Sequence, residues 1–169
     1  MDSQYPKRQS VRLPGFDYAQ AGAYFVTVCS YNKKCIFGHI TDTHMHLNRL
    51  GALVVAAWKE LPQMYTFISL DNWVLMPNHF HGIIWLNEKN PDQKSLSKII
   101  SAFKSISTSR ARKAFDQGGS LWQRSFYEHI IRNQSDLLRI RQYIEDNAAQ
   151  WAVDRENPDF NRTVQNEGL

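Results

Sequence analysis

The stretch from Trp73 to Leu86, Trp-Val-Leu-Met-Pro-Asn-His-Phe-His-Gly-Ile-Ile-Trp-Leu, constrains the fold more than any other part of the chain. It predicts an apolar strand, a turn at Pro77-Asn78 and a second apolar strand that opens with His-Phe-His. Side chains alternate along a strand, so His79 and His81 share one face and Phe80 faces the opposite layer. Two imidazoles side by side on a rigid strand make two-thirds of a metal site. The same pair also fits strand-end histidines satisfied by backbone or water, so the rest of the chain has to decide between the two readings.

The elements around this pair can be read from periodicity. Tyr24-Phe25-Val26-Thr27-Val28-Cys29-Ser30 is β-branched and aromatic and reads as a strand. Asn32-Lys33-Lys34 turns the chain, and a weak hairpin runs from Cys35 to about Leu47. This hairpin holds a second His-x-His, His44-Met45-His46, whose polar neighbours Thr41, Asp42 and Thr43 suit a solvent-facing strand edge. From Asn48, which is placed to cap a helix, Leu50, Leu53, Val54, Ala57, Trp58, Leu61 and Tyr65 fall on one helical stripe. Strands follow at about 68–76 and 79–87, and Leu96, Ile99, Ile100, Phe103 and Ile106 mark a second amphipathic helix running towards Phe115. Gly118-Gly119 breaks the chain, and Phe126–Arg132 forms a further strand. A last helix, with Ser135 as its expected cap, buries Leu137, Ile140, Ile144, Ala148 and Trp151. The core order β, α, β, β, α, β plus an extra helix predicts a ferredoxin-like α+β fold, an antiparallel sheet with helices on one face.

At 169 residues the chain has room for one domain. It is read as a single unit over 1–151, opening with a basic arm (1–22), followed by a polar acidic tail (152–169) expected to be loosely ordered. No apolar run approaches the ~20 residues that span a bilayer, so no membrane partner is expected. The N-terminus lacks the apolar stretch of a signal peptide, which predicts a cytoplasmic protein. Cys29 and Cys35 lack CxxC spacing and suggest neither a disulfide framework nor a cysteine metal site. Charge is unevenly spread. Residues 1–143 carry 18 Lys and Arg against 10 Asp and Glu, whereas 144–169 carry 2 against 6. A basic body with an acidic end points to a polyanionic partner, nucleic acid first.

The last helix bears on the histidines. Tyr143 lies beside its buried stripe, and Asn147 follows four residues on, on the same face one turn later. If this helix crosses the sheet face that carries His79 and His81, the amide oxygen of Asn147 completes a three-ligand site without charge. A bound cation would then keep its positive charge for a phosphodiester oxygen. Arg139 and Arg141 flank Tyr143, and neighbouring cations are expected to ease ionisation of its phenol. Tyr127, on a predicted strand next to Phe126, is the rival nucleophile, and His129 alternates with it.

The run Val74-Leu75-Met76-Pro77-Asn78-His79-Phe80-His81 resembles the signature of the HUH single-tyrosine transposases. Trp122-Gln123-Arg124-Ser125-Phe126-Tyr127-Glu128-His129-Ile130-Ile131-Arg132, followed by Arg141-Gln142-Tyr143-Ile144-Glu145-Asp146-Asn147, resembles the branch called REP-associated tyrosine transposases within the IS200-like superfamily. Arg12–Tyr18 and Gly22–Thr27 are similar to that branch's N-terminal pattern. The resemblance spans roughly residues 5–151 and implies the HUH endonuclease fold with a C-terminal helix bearing the tyrosine. It implies His79 and His81 as ligands of a divalent metal, Mg²⁺ or Mn²⁺, with Asn147 as third ligand, and Tyr143 as nucleophile. The implied activity is cleavage and rejoining of single-stranded DNA through a 5′-phosphotyrosine, at hairpins of repeated palindromic elements. The family pattern has Pro straight after that Asn, whereas this chain has Ala148-Ala149, so the helix is expected to run a turn longer.

For DNA contacts the expected residues are Lys7, Arg8 and Arg12 in the arm and Lys104, Arg110, Arg112 and Arg124 in the body, with Phe16 and Tyr18 available to stack on unpaired bases. The resemblance implies a monomer or a homodimer. Two readings from other classes remain: a non-catalytic module that binds single strands on an exposed aromatic sheet face, and a metal-dependent phosphodiesterase that uses water and forms no covalent adduct.

Overall fold

A computed structural model of the chain describes residues 15–116, 118–154 and 156–160. In chain order the elements are β1 (Gly22–Cys29), a hairpin of β2 (Gly38–Thr41) and β3 (His44–Leu47), α1 (Arg49–Lys59), a short α2 (Leu61–Met64), β4 (Ile68–Leu75), β5 (His79–Leu86), α3 (Leu96–Phe115), β6 (Tyr127–Ile131) and α4 (Gln134–Asp146). The four long strands form one sheet in the order β4-β5-β1-β6, with every neighbour antiparallel. The helical connections from β1 to β4 and from β5 to β6 each skip one strand, which is the interleaved topology of the ferredoxin-like fold that the β/α order predicted.

Alternation along the central strands divides the molecule into two layers. Tyr24, Val26 and Val28 of β1 and Phe80, Ile84 and Leu86 of β5 face the main core with Trp58 of α1 and Ile99, Ile100 and Phe103 of α3. The ring of Phe80 lies 4.5 Å from Trp58 and 5.3 Å from Phe103, centroid to centroid. The predicted cap at Asn48 is present, its side chain accepting from Gly51 N at 2.9 Å. The single stripe predicted from Leu50 to Tyr65 is two helices, broken at Glu60 just before Leu61-Pro62, because a proline here has no N–H to continue the first helix.

The other layer is smaller. Ala23 and Phe25 of β1 and Ile83 of β5 take the stripe of α4, Leu137, Ile140 and Ile144, with Val74 and Ile131 at its rim. This is the sheet face on which His79 and His81 stand, so the last helix does cross the histidines. Two sequence expectations fail at its ends. Asn133, not Ser135, caps α4, its side chain accepting from Asp136 N at 2.8 Å. The helix does not gain a turn: it closes at Asp146 with Asn147 as its C-cap, then passes through a turn into a 3-10 segment at Trp151–Val153. Lack of a following proline permits a longer helix but does not supply the packing to hold one. Of the acidic tail expected to be loosely ordered, residues 155 and 161–169 lie outside the described residues, and the described part is held in place. It returns to the Pro77-Asn78 turn, where Asn78 Nδ2 donates to Glu156 O at 2.6 Å and Lys33 pairs with the Glu156 carboxylate at 2.7 Å.

Candidate active site

His79 and His81 are both buried, and their rings stand 4.5 Å apart. Burial lowers the proton affinity of each. For His79, Asp154, Glu156 and Asn147 work against burial and Lys33 works with it; for His81, the neighbouring His79 adds to the effect. Both imidazoles are therefore neutral at pH 7, each with one nitrogen lone pair to give.

Which nitrogen that is follows from the partners. Asn78 Nδ2 donates to two main-chain carbonyls, Lys33 O at 3.1 Å and Glu156 O at 2.6 Å, which fixes the orientation of its amide. Its oxygen then accepts from His79 Nδ1–H at 2.8 Å, and the lone pair lies on Nε2. That nitrogen is buried and makes no hydrogen bond. On His81, Nδ1 meets Thr27 Oγ1 at 2.8 Å and Nε2 meets Tyr143 Oη at 3.3 Å. Phe25 stacks on His81 at 5.3 Å and meets Tyr143 edge-on at 6.1 Å.

Tyr143 leaves 42% of its surface exposed while its hydroxyl turns in to His81. Burial of the hydroxyl end raises its pKa, Asn147 opposes this, and Asp154 and Glu156 raise it further. The expectation that Arg139 and Arg141 ease its ionisation is therefore wrong. Arg139 is paired with Asp136 at 2.6 Å and Arg141 with Asp71 at 2.7 Å, so both guanidinium groups are neutralised along the flanks of the helix. Asn147 is 2% exposed, close enough to act on both His79 and Tyr143, yet its Oδ1 has no aligned hydrogen-bond partner. Two buried atoms with lone pairs, His79 Nε2 and Asn147 Oδ1, thus stand unsatisfied beside a third, His81 Nε2. An unmet buried polar atom costs roughly 1–3 kcal/mol, and a nitrogen, nitrogen, oxygen donor set fits a divalent cation that tolerates imidazole and carbonyl ligands. No group of three or more His, Cys, Asp or Glu suited to a metal occurs among the described residues.

The remaining sequence candidates fall elsewhere. Tyr127 is exposed on the edge strand, and Tyr143 is the tyrosine that meets His81. His129 Nε2 bonds Asp136 at 2.7 Å. His44 and His46 lie exposed on β3, as their polar setting predicted, with His46 stacked on His39 at 5.4 Å. Lys104 donates to the carbonyls of Gln123 and Arg124, Arg110 grips Glu60 through two hydrogen bonds, Arg112 bonds Gly119 O, and Arg124 is exposed. Lys104 and Arg112 share a cleft with Lys113 and the hydroxyls of Ser105, Thr108 and Ser109. Lys7, Arg8 and Arg12 lie outside the described residues. Phe16 and Tyr18 pack against each other at 4.9 Å and at the margin of the main core. Sequence reasoning missed Asn78, Thr27 and Asp71. A signal existed for Asn78 alone, since an Asn in a turn next to a histidine can bond its neighbours.

A family model described as "Transposase IS200 like" matches residues 18–147, a span that includes His79, His81, Tyr143 and Asn147. The chain belongs to the IS200-like transposase family. An uncharacterized protein of Haemophilus influenzae is 37% identical over 169 residues, covering 88% of this chain and 92% of its own length. The REP-associated tyrosine transposase of Escherichia coli is 27% identical over 130 residues, covering 75% of this chain and 66% of its own length. Among solved structures, a REP-associated tyrosine transposase bound to a REP hairpin matches with a TM-score of 0.63 and 22% identity, over 99% of this chain and 88% of that one. The resemblance read from the separated motifs thus holds, and so does the antiparallel fold. Among the described residues no helix is long and apolar enough to cross a membrane.

Proposed function

We propose that this IS200-like transposase is a metal-dependent single-stranded DNA endonuclease and strand transferase, with Tyr143 as its nucleophile and hairpin DNA of repeated palindromic elements as its substrate. The observation that carries the reading is the Tyr143 hydroxyl 3.3 Å from His81 Nε2, beside two buried atoms, His79 Nε2 and Asn147 Oδ1, that lack partners. The substrate class is supported by the name of the Escherichia coli relative and by the REP hairpin bound to the structural neighbour.

His79 and His81 through Nε2 and Asn147 through Oδ1 would hold Mg²⁺ or Mn²⁺, which when bound supplies positive charge to a non-bridging phosphate oxygen. The chain's own residues do the rest. Burial keeps both histidines neutral and able to bind a cation, and Asn78 and Thr27 fix which ring nitrogen faces the site. Without a cation Tyr143 stays protonated, its hydroxyl held on His81 Nε2, whose one lone pair would go instead to a bound cation. Cleavage needs that proton to leave, and solvent, which reaches the half-exposed Tyr143, can take it. The phenolic oxygen bonds to phosphorus as the bond from phosphorus to the 3′ oxygen breaks, and the released oxygen takes a proton back from solvent to become a 3′-hydroxyl. The 5′-phosphotyrosine conserves the bond, so a second 3′ end reverses the step without ATP. The sheet face that a stacking module would need to expose is covered by α4, with Ala23, Phe25 and Ile83 buried beneath it.

The test is a labelled single-stranded hairpin incubated with the protein and Mn²⁺, then denatured and resolved. A covalent protein–DNA band that requires metal and disappears in Tyr143→Phe, a loss of at least about a thousandfold for a missing nucleophile, is the expected result. A band lost in Tyr127→Phe instead moves the nucleophile. Binding without a band means a binding module, and cleavage without a band means a hydrolase.

A further inference from the structure

We propose that Asp71 is a positioning residue that clamps the tyrosine helix onto its own sheet, so that Tyr143 meets the histidines of the same chain. Only the activity arm of its test rests on Tyr143 being the nucleophile. The apolar seam under α4 is short, three aliphatic residues of the helix on Ala23, Phe25 and Ile83 of the sheet with Val74 and Ile131 at the rim, and only Arg132 and Asn133 join the helix to β6. A 13-residue helix on so small a seam is poorly fixed against sliding or turning. A slip of one residue moves a side chain ~1.5 Å along the axis and ~100° around it, which would take Tyr143 away from His81.

The element that α4 touches most is β4, and β4 is irregular where they meet. Its register with β5 shifts between Leu70 and Trp73, leaving Asp71 and Asn72 in a bulge. A bulge re-aims side chains, and here both turn to the helix: Asp71 to Arg141 and Asn72 Nδ2 to Glu145 Oε1 at 2.8 Å. Arg141 stands two residues before Tyr143 and Glu145 two after, so the grips bracket the nucleophile and set its height and rotation.

The Asp71 carboxylate is filled to capacity. It accepts from Arg141 Nε at 2.9 Å and Arg141 Nη2 at 2.7 Å, in the bidentate geometry specific to arginine. It also accepts from Trp85 Nε1 at 2.8 Å and from Asn72 N at 2.7 Å. Trp85 lies on β5, the strand of the histidines, so one side chain that is 11% exposed joins β4, β5 and α4. Sequence separations of 70 and 14 mean that no local rule produces this junction.

The test compares amide hydrogen exchange in wild type, Asp71→Asn and Arg141→Gln, the second of which removes the helix side of the grip and leaves the Asp71 bonds to Trp85 and Asn72 in place. We expect exchange over residues 134–146 to rise about tenfold in each variant, with β1 and β5 unchanged. In DNA cleavage Asp71→Asn lowers kcat with KM for the hairpin unchanged, and a mixture of Tyr143→Phe with His79→Ala chains forms no adduct. Unchanged α4 exchange in Asp71→Asn or in Arg141→Gln overturns the proposal, as does equal loosening of β1 and β5, or an adduct from the mixture. A wild-type chain that forms no adduct in any divalent metal defeats the functional reading instead, and the exchange measurement still decides the clamp.

Discussion

At the scale of single residues, Asn78 decides the chemistry of its neighbour. A free imidazole exchanges its proton between two nitrogens, and a metal ligand needs one of them reserved as a lone pair. The two backbone carbonyls that hold the Asn78 amide group leave its oxygen as the acceptor for His79 Nδ1–H. The cost of folding His79 with a bare Nε2 in the interior is thus offset in advance at the other nitrogen. Asn78→Ala removes this reservation while leaving His79 in place. Loss of such a partner typically weakens metal binding 10- to 100-fold, and we expect a weakening of about that size in calorimetric titration of the protein with Mn²⁺. Equal affinity in the two proteins would mean that the strand alone orients the ring. The sequence made His79, His81, Tyr143 and Asn147 legible because each sits in a local motif of fixed spacing. Thr27 was not legible, since nothing in Tyr24–Ser30 says that one hydroxyl of a strand will stand opposite His81.

At the scale of elements, β5 must serve two layers at once, and Gly82 is where their demands meet. It follows His81 on the face of the main core, where a Cβ would lie 2.7 Å from Trp58 Cζ2 and 2.8 Å from Phe80 Cε1. Both rings are fully buried and tilted against each other, so neither can give way cheaply. The missing side chain lets α1 press its Trp58 onto the strand that carries the histidines. Gly82→Ala overpacks this contact, and we expect a loss of about 1–3 kcal/mol, measured by urea denaturation. Unchanged stability would show that the α1 layer shifts freely. Period and alternation, which are local, made every long element legible. The end of α4 was not, because a missing proline says only what the backbone is allowed to do. Beyond Asp146 the chain turns and comes back to Asn78, a contact between positions far apart in the chain that no local pattern reveals.

At the scale of the whole molecule, the two layers have opposite electrostatic characters. The main core is apolar but for Ser107, whose hydroxyl meets Trp122 Nε1, while the layer under α4 encloses two neutral histidines, a protonated tyrosine and an amide, bordered by the acidic segment that carries Asp154 and Glu156. Stability of the metal-free protein should therefore depend on pH in a defined window. In the unfolded chain His79 and His81 ionise near pH 6.5, about the reference value for histidine; in the folded chain burial lowers both. Above about pH 6.5 neither state binds these protons, and the full stability is present. As pH falls below that value, the unfolded chain takes up two protons that the folded chain refuses. Stability then declines, by up to about 2.7 kcal/mol per pH unit while both differ, until the lowered folded values are reached. Carboxylates with lowered pKa, such as Asp71 and Asp136, shift the balance in the same direction only at more acid pH. Denaturation in the presence of a chelator at pH 8 and pH 5.5 should show a large drop for wild type and a much smaller one for His79→Gln/His81→Gln. Equal stability of the wild type at both pH values would mean that the folded site accepts protons as readily as water does, and would remove the ground for reading its histidines as neutral ligands.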